Sequence, residues 1–236
     1  MRYAETLPPP ELDGLVEAVW TLDVAASGWV DHQAVPDGCI ELIRRHSGGS
    51  VWRREQPELF VTGLALRPAV LRFRGDARFT GIRLWPWAWH LLDGEPCRDF
   101  ADRWRAIQPR APLAALLPDD GDPMPRLAAL FHGTVPPPLA AIRHAASVAE
   151  LAHITGLSTR QLQRICARET GMPPRSYLRL LRFRTAVSDI QRPDALLADT
   201  AAAAGYADQA HMTREFRSLG GLPPRRARDR AKGPFI

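Results

Sequence analysis

Between Ser147 and Arg228 one short pattern is written twice. The first copy runs Ala152-His153-Ile154-Thr155-Gly156-Leu157-Ser158, then Thr159-Arg160-Gln161-Leu162-Gln163-Arg164, then Gly171-Met172-Pro173-Pro174-Arg175. The second runs Ala201-Ala202-Ala203-Ala204-Gly205-Tyr206-Ala207-Asp208, then Gln209-Ala210-His211-Met212-Thr213-Arg214, then Gly221-Leu222-Pro223-Pro224-Arg225. Ser158 and Asp208, Leu162 and Met212, and Gly171 and Gly221 are each 50 residues apart, a period typical of duplicated supersecondary units. Each copy predicts a short helix, a glycine turn, a capping residue, a second helix and a Gly-x-Pro-Pro-Arg exit. Folding that pattern twice constrains the region to two helix-turn-helix units in one small helical domain.

Charge is distributed to match. The chain of 236 residues is 45% hydrophobic, enough for two domains with separate cores. Its formal net charge is +5. Met1 to Pro138 carries 15 basic and 18 acidic residues, giving −3, and Leu139 to Ile236 carries 16 and 8, giving +8. Positive charge gathered on the repeat is the footprint of a polyanion-binding domain, although a solvated surface has the same composition. Lys232 is the only lysine; arginine suits bidentate contacts to phosphate or guanine. Cys39, Cys97 and Cys166 are odd in number and widely spaced, which argues against a disulfide framework or a zinc cluster. The N-terminus lacks a basic-then-apolar leader and no apolar run is long enough to span a bilayer, so a soluble cytoplasmic protein is expected.

The first half reads differently. Pro8 to Trp20 places Leu12, Leu15, Val16 and Val19 at helical spacing. Short strands follow over Ala18–Val24, Gly38–Arg44, Ser50–Trp52, Leu59–Leu64, Ala69–Phe73 and Thr80–Leu84. The breaks carry Pro36-Asp37-Gly38, Gly48-Gly49, Arg67-Pro68 and Gly75-Asp76, all turn formers. Strands without intervening helices predict a small antiparallel barrel or sandwich. Helical text resumes over Trp89–Leu92, Phe100–Leu117 and Met124–Phe131. The cluster Trp85-Pro86-Trp87-Ala88-Trp89 either lines an apolar ligand pocket or packs helices against the sheet. Pro136-Pro137-Pro138 cannot continue a helix and marks the linker, dividing the chain into residues 1–135 and 136–236. The expected class is α+β, a β barrel or sandwich with flanking helices followed by an all-α double helix-turn-helix.

In the second half, helices are expected over Leu139–Ala146, Val148–Ile154 (capped by Ser147, with Glu150 at the capping-box position), Thr159–Glu169 (capped by Ser158), Ser176–Gln191, Ala195–Ala204 and Gln209–Leu219, with a short tail after Pro224. On Ser176–Gln191 the residues Tyr177, Leu180, Leu181, Val187 and Ile190 face inward. A helix of this size fits the major groove, where each base pair presents a distinct donor and acceptor pattern. With Leu162, Ile165 and Cys166 turned to the core, Arg160, Gln163 and Arg164 share the opposite face. With Met212 and Phe216 as the second core pair, Gln209, His211, Thr213 and Arg214 point outward. Arginine prefers guanine O6/N7, glutamine pairs with adenine N6/N7, and Thr159 and Thr213 suit phosphate or a thymine methyl. The candidate DNA-contacting set is Ser158, Thr159, Arg160, Gln163, Arg164, Gln209, His211, Thr213 and Arg214.

The region Ser147–Arg228 resembles the DNA-binding domain of AraC/XylS-type transcriptional regulators. The matching text is Val148-Ala149-Glu150-Leu151-Ala152, Gly156-Leu157-Ser158, Leu162-Gln163-Arg164, Gly171, Pro174 and Tyr177, then Ala201, Ala204-Gly205-Tyr206, Phe216-Arg217, Gly221, Pro224 and Arg228. The resemblance implies two units joined by one long helix, both reader helices entering successive major grooves of double-stranded DNA. It carries the family's contacts onto Arg160, Gln163 and Arg164, and onto Gln209, Ala210, His211, Thr213 and Arg214. Three positions depart from the pattern. Ala210 replaces a polar residue, Ala227 an aromatic that anchors the last turn, and Asp189 a leucine of the linking helix. Less extensively, Pro36-Asp37-Gly38-Cys39-Ile40-Glu41-Leu42-Ile43 and Thr80-Gly81-Ile82-Arg83-Leu84 look similar to cupin-like sensor domains attached to such regulators. That resemblance implies effector sensing or homodimerisation, with RNA polymerase as a further partner of the class. Trp20, Glu41, Trp85 and Trp87 are the candidate effector-lining residues.

Three alternatives remain open to the sequence, one of them a ligand-independent interaction module that presents DNA binding constitutively. A cupin-type metalloenzyme needs clustered ligands, but His32, His46, His90 and His132 are isolated and form no His-x-His pair. A thiol sensor would use Cys39 or Cys97, and only Arg98 offers a neighbouring charge. No catalytic residue, metal ligand or cofactor is therefore assigned, and a non-enzymatic protein is expected.

Overall fold

The computed structural model describes residues 1–92 and 96–230. The N-terminal part is one antiparallel sheet of β1 (Arg2–Thr6), β2 (Val16–Val24), β3 (Trp29–Ala34), β4 (Ile40–Trp52), β5 (Arg54–Glu55), β6 (Leu59–Thr62), β7 (Ala69–Leu84) and β8 (Trp104–Ala106). The path through it is β1-β2-β7-β4-β6-β8, with β3 on β7 and β5 on β4. β7 is the spine. One edge pairs with β4, and the other is shared by β3 along Ala69–Arg74 and β2 along Ala77–Leu84. The sheet curls, so that Trp20, Leu22, Val24, Ile43, Phe60, Phe73, Ala77 and Phe79, drawn from four strands, form one internal apolar cluster.

Several expectations are corrected by this sheet. The helical reading of Pro8–Trp20 gives way to a 3₁₀ turn at Pro10–Leu12 followed by β2. Leu12, Leu15, Val16 and Val19 are buried as expected, but the first part of β2 is covered on both faces, which erases the alternation that marks a half-buried strand. Gly48-Gly49 and Gly75-Asp76 do not end strands. They lie inside β4 and β7, where the pairing register shifts between Arg45 and Ser47 and again between Ser47 and Gly49, and such bulges bend a strand without ending it. The helix expected over Phe100–Leu117 is replaced by β8 between 3₁₀ turns at Cys97–Phe100 and Pro112–Leu116. Pro109 and Pro112 interrupt any helix there, and β8 completes the ladder of β6 through Phe60–Ala106, Val61–Arg105 and Thr62–Trp104.

The remaining helices are α1 (Pro86–Leu92), α2 (Met124–Leu130), α3 (Val148–Thr155), α4 (Thr159–Thr170), α5 (Pro174–Ile190), α6 (Leu197–Ala203), α7 (Gln209–Gly220) and α8 (Pro224–Arg230). Leu139–Ala146 is a 3₁₀ segment, Pro138–His144, rather than an α-helix, and the expected tail begins as α8, with residues 231–236 outside the described residues. Ala227 packs against the second core and Arg228 Nη2 donates to Ala195 O at 2.7 Å. The last turn is thus anchored despite the missing aromatic. Asp189 is half-buried and turns toward Arg192 at 3.8 Å instead of entering the core.

The expectation of separate cores is also corrected. One apolar cluster runs from Val19, Leu42, Ile82 and Leu84 on the outer face of the sheet, through Trp87 and Trp89, to Leu151, Leu162, Cys166, Tyr177 and Leu181 of the first helix-turn-helix. Each such large side chain taken from water contributes about 1.5–3 kcal/mol, so the sheet and the first repeat share their stability. The second repeat has its own cluster around Phe183, Val187, Met212 and Phe216, to which Val35 of the sheet domain adds.

Candidate nucleic-acid interface and ligand cavity

Both second helices begin on a built cap. Ser158 Oγ accepts from Gln161 N at 3.3 Å while Gln161 Oε1 accepts from Ser158 N at 2.9 Å, a reciprocal capping box. Asp208 Oδ1 accepts from His211 N at 2.6 Å. On α3 Ser147 Oγ accepts from Glu150 N, and the Glu150 carboxylate reaches back one residue further than the standard box, to Ala146 N at 2.7 Å. Leu162 and Cys166 on α4, and Met212 and Phe216 on α7, occupy equivalent repeat positions and are all fully buried. That burial fixes the roll of each helix about its axis and decides which side faces out.

Ser158, Thr159, Arg160, Gln163 and Arg164 are exposed, as are Gln209, Ala210 and Arg214. His211 and Thr213 are only half-exposed. Thr213 Oγ1 donates back to Gln209 O at 2.8 Å, and the His211 ring packs edge-on against Tyr206 with centroids 5.2 Å apart. The fully outward reading therefore holds for Gln209 and Arg214 but not for these two. The linking helix α5 is tied to α7 by Arg179, whose Nε meets Glu215 Oε2 at 2.5 Å and whose Nη2 donates to Ser218 Oγ at 3.0 Å.

Inside the curl of the sheet lies a cavity of about 110 Å³. Its walls include Trp20, Trp52, Phe60, Phe73 and Phe79, and Asp37, Glu41 and Arg83 line it as well. Trp20 lies flat over β7 because the paired residue is Gly81. A Cβ there would stand 2.1 Å from the indole. Trp20 Nε1 donates to Glu41 Oε1 at 3.1 Å.

Arg83 is 2% exposed and meets four carboxylates: Glu41 at 3.0 Å and Asp37 at 3.1 Å through Nε, and Glu17 at 3.0 Å and Glu5 at 3.1 Å through Nη1. Burial opposes the charge on Arg83, but Glu41 and Asp37, and after them Tyr3 and Cys39, outweigh it and hold the guanidinium firmly protonated. Burial likewise pushes the Glu41 carboxyl up to about 6, with Arg83 pulling it down and Asp37 pushing it further up, and it raises Asp37. The Asp37 carboxylate also serves its turn, Oδ1 accepting from Cys39 N at 2.9 Å. Sequence reasoning missed Arg83 and Glu17. The available signal was a charged residue set inside an apolar strand, where only a paired charge survives.

Trp20 and Glu41 thus stand on the cavity wall, whereas Trp85 and Trp87 do not. These two stack on each other at 5.5 Å, and Trp87 meets Tyr177 edge-on at 6.3 Å in the core shared with the helical domain. Their neighbouring positions lie at the start of α1, past the end of β7, which turns them away from the curl. All three cysteines are buried, and burial pushes the Cys39 thiol up and the Cys166 thiol to about 11. At Cys39 and Cys166 that environment suppresses the thiolate a sensor needs. Among the described residues no group of three or more His, Cys, Asp or Glu side chains is arranged to hold a metal ion, and no helix is long and apolar enough to cross a membrane.

Residues 151–230 match a family model described as a helix-turn-helix domain. With 91% of this chain covered and 99% of the other, the fold matches ToxT from Vibrio cholerae at a TM-score of 0.53 and 10% identity. The C-terminal domain is an AraC-type helix-turn-helix domain. An AraC-type regulator from Chromobacterium violaceum aligns over 40% of this chain and 85% of its own at 27% identity, with a TM-score of 0.36. ToxT with bound unsaturated fatty acid aligns over 93% of this chain and 96% of its own at 10% identity and a TM-score of 0.50. Residues 4–104 match a domain of unknown function (DUF6597). No curated protein matches the chain significantly.

The AraC-type domain reaches the cavity wall at Val35, which packs against the core of the second repeat, and along the residues that follow it. Residues 36–41 supply Asp37, Cys39 and Glu41 to the cavity wall. On their other side Tyr177 Oη of α5 donates to Gly38 O at 2.7 Å, and Arg184 Nη1 of α5 lies 3.7 Å from Cys39 Sγ. Arg184 also pairs with Glu17, one of the four acids around Arg83. The helix that joins the two repeats of the AraC-type domain is therefore in direct contact with the back of the cavity.

Proposed function

We infer that this chain is a DNA-binding transcription regulator that reads two successive major grooves through α4 and α7. The observation that carries the reading is the matched pair of capped helices, each rolled by two fully buried anchors so that Arg160, Gln163 and Arg164, and Gln209 and Arg214, stand exposed. Base edges would be read by these side chains, and phosphates gripped by arginine and by the capped N-terminal turns. His211 and Thr213 contribute less, being engaged within α7 and its preceding turn. The sheet domain, residues 1–135 in this reading, senses a small molecule and the role is regulatory rather than catalytic. The ToxT structure with bound fatty acid supports a small-molecule effector in a protein of this fold. Occupancy of the cavity would shift residues 36–41 against α5 and so change the relative placement of the two reader helices.

The test is selection of bound fragments from random and genomic DNA by the full chain, followed by footprinting. Two protected segments centred about 10 bp apart, one helical turn, are expected. Uniform binding to all sequences would overturn the reading.

A further inference from the structure

We propose that the cavity in the sheet domain is a site for a small organic cation, an amine with an aromatic or branched aliphatic body and one hydrogen-bond acceptor; this rests on the effector-sensing reading above and names the ligand class.

Charge excludes the opposite sign. Among the described residues the cluster at the end of the cavity holds four carboxylates, Glu5, Glu17, Asp37 and Glu41, against two guanidinium groups, Arg83 and Arg184. The group keeps an excess of negative charge in a place largely withdrawn from water, where uncompensated charge is costly. Among the described residues Arg83 is the one arginine or lysine on the cavity wall, and it already faces four acids through Nε and Nη1 and Tyr3 Oη through Nη2 at 3.3 Å. A carboxylate ligand would have to displace those partners. An ammonium group would instead complete the set. On Glu41, Oε1 accepts from both Trp20 and Arg83, and among the described residues no hydrogen bond is made to Oε2.

The rest of the wall fits the body of such a ligand. Trp20, Trp52, Phe60, Phe73 and Phe79 give it aromatic faces, which attract cations as well as apolar groups. His32, stacked on Phe73 at 5.6 Å, is held neutral because burial lowers it to about 4, so it adds no competing charge. A volume of about 110 Å³ is of the order of a cavity that takes a single small ring, which limits the enclosed body of the ligand to one ring or a short branched chain. At another point on the wall Gln56 is 1% exposed, with Oε1 taken by Ser50 Oγ and Nε2 buried without a partner. A buried donor left unpaired is destabilising, and a ligand oxygen or nitrogen would satisfy it.

The full chain is titrated with 2-phenylethylamine, 3-phenylpropanoate and 2-phenylethanol by calorimetry and by the fluorescence of the cavity tryptophans. The amine is expected to bind at least about tenfold tighter than the acid or the alcohol, a difference of about 1.4 kcal/mol. Glu41→Gln should remove that preference while retaining weak binding of the alcohol, and circular dichroism checks its fold. In the wild type the amine's affinity should rise from about pH 5 to about pH 7.5 as Glu41 ionises among Glu5, Glu17, Asp37, Arg83, Arg184, Tyr3, His32 and Cys39. Equal or tighter binding of the acid, no amine preference, or a preference unchanged in Glu41→Gln would overturn the proposal. Footprinting in the same samples separates the two readings. Tight amine binding without sequence-specific DNA binding would sink the regulator and keep the site, whereas sequence-specific DNA binding that responds to the acid would do the reverse.

Discussion

Tyr177 on the linking helix α5 donates a hydrogen bond of 2.7 Å to the carbonyl oxygen of Gly38, which lies 139 positions earlier in the turn that leads into the cavity wall. Both groups are buried, and Leu181 of the same helix packs beneath the glycine, 3.2 Å from where a Cβ would stand. Tyr177→Phe leaves the Gly38 carbonyl without its partner, so a loss of about 1–3 kcal/mol in urea unfolding is expected. A loss under about 0.5 kcal/mol would show that the bond does not hold the two domains together.

Arg164 is exposed on α4, and among the described residues its side chain makes no hydrogen bond or ion pair. Arg164→Ala should weaken binding to a selected site by about 1–3 kcal/mol and relax preference at one base pair. If competition assays give the same loss on random DNA, the side chain grips phosphate and the base assignment fails.

Gly205 joins α6 to the second reader with φ at +76°, and a Cβ there would meet only Arg182 Nε at 3.7 Å. The expected cost of Gly205→Val is therefore one of backbone rather than crowding, more than about 1–2 kcal/mol because β-branching adds to the left-handed penalty. Calorimetry should show a lowered Tm and footprinting a loss confined to the half-site read by α7. An unchanged melt would reject the role given to this turn.

Glu41 titrates at about 6 in the fold, above the ordinary carboxylate range, chiefly because it is buried, with Arg83 acting against that and Asp37 with it. A carboxyl raised on folding holds its proton more tightly in the native state than in the unfolded one. Its contribution is thus favourable at low pH and is lost as pH climbs from the unfolded range, about 4.5, to about 6. Relative to wild type, Glu41→Gln should gain stability between about pH 5 and pH 7, by an amount on the order of 1–2 kcal/mol. Parallel pH profiles of urea unfolding for the two proteins would contradict this.

What the residues announced by themselves was local. Ser147, Ser158 and Asp208 cap within three residues of their own position, and the buried anchors of α4 and α7 follow from helical spacing, so the double helix-turn-helix and its outward face were legible along the chain. Pro8–Trp20 was misread because burial on both faces removes the alternation that separates a strand from a helix. The cavity, the ring of acids around Arg83 and the contact of α5 with residues 36–41 were decided only in three dimensions. They join Glu5 to Arg83, Glu17 to Arg184 and Gly38 to Tyr177, and no short-range propensity encodes pairings of groups so far apart. Their formation depends on the curl of β4 and β7 bringing distant charges out of water together, where each is tolerable only beside the others.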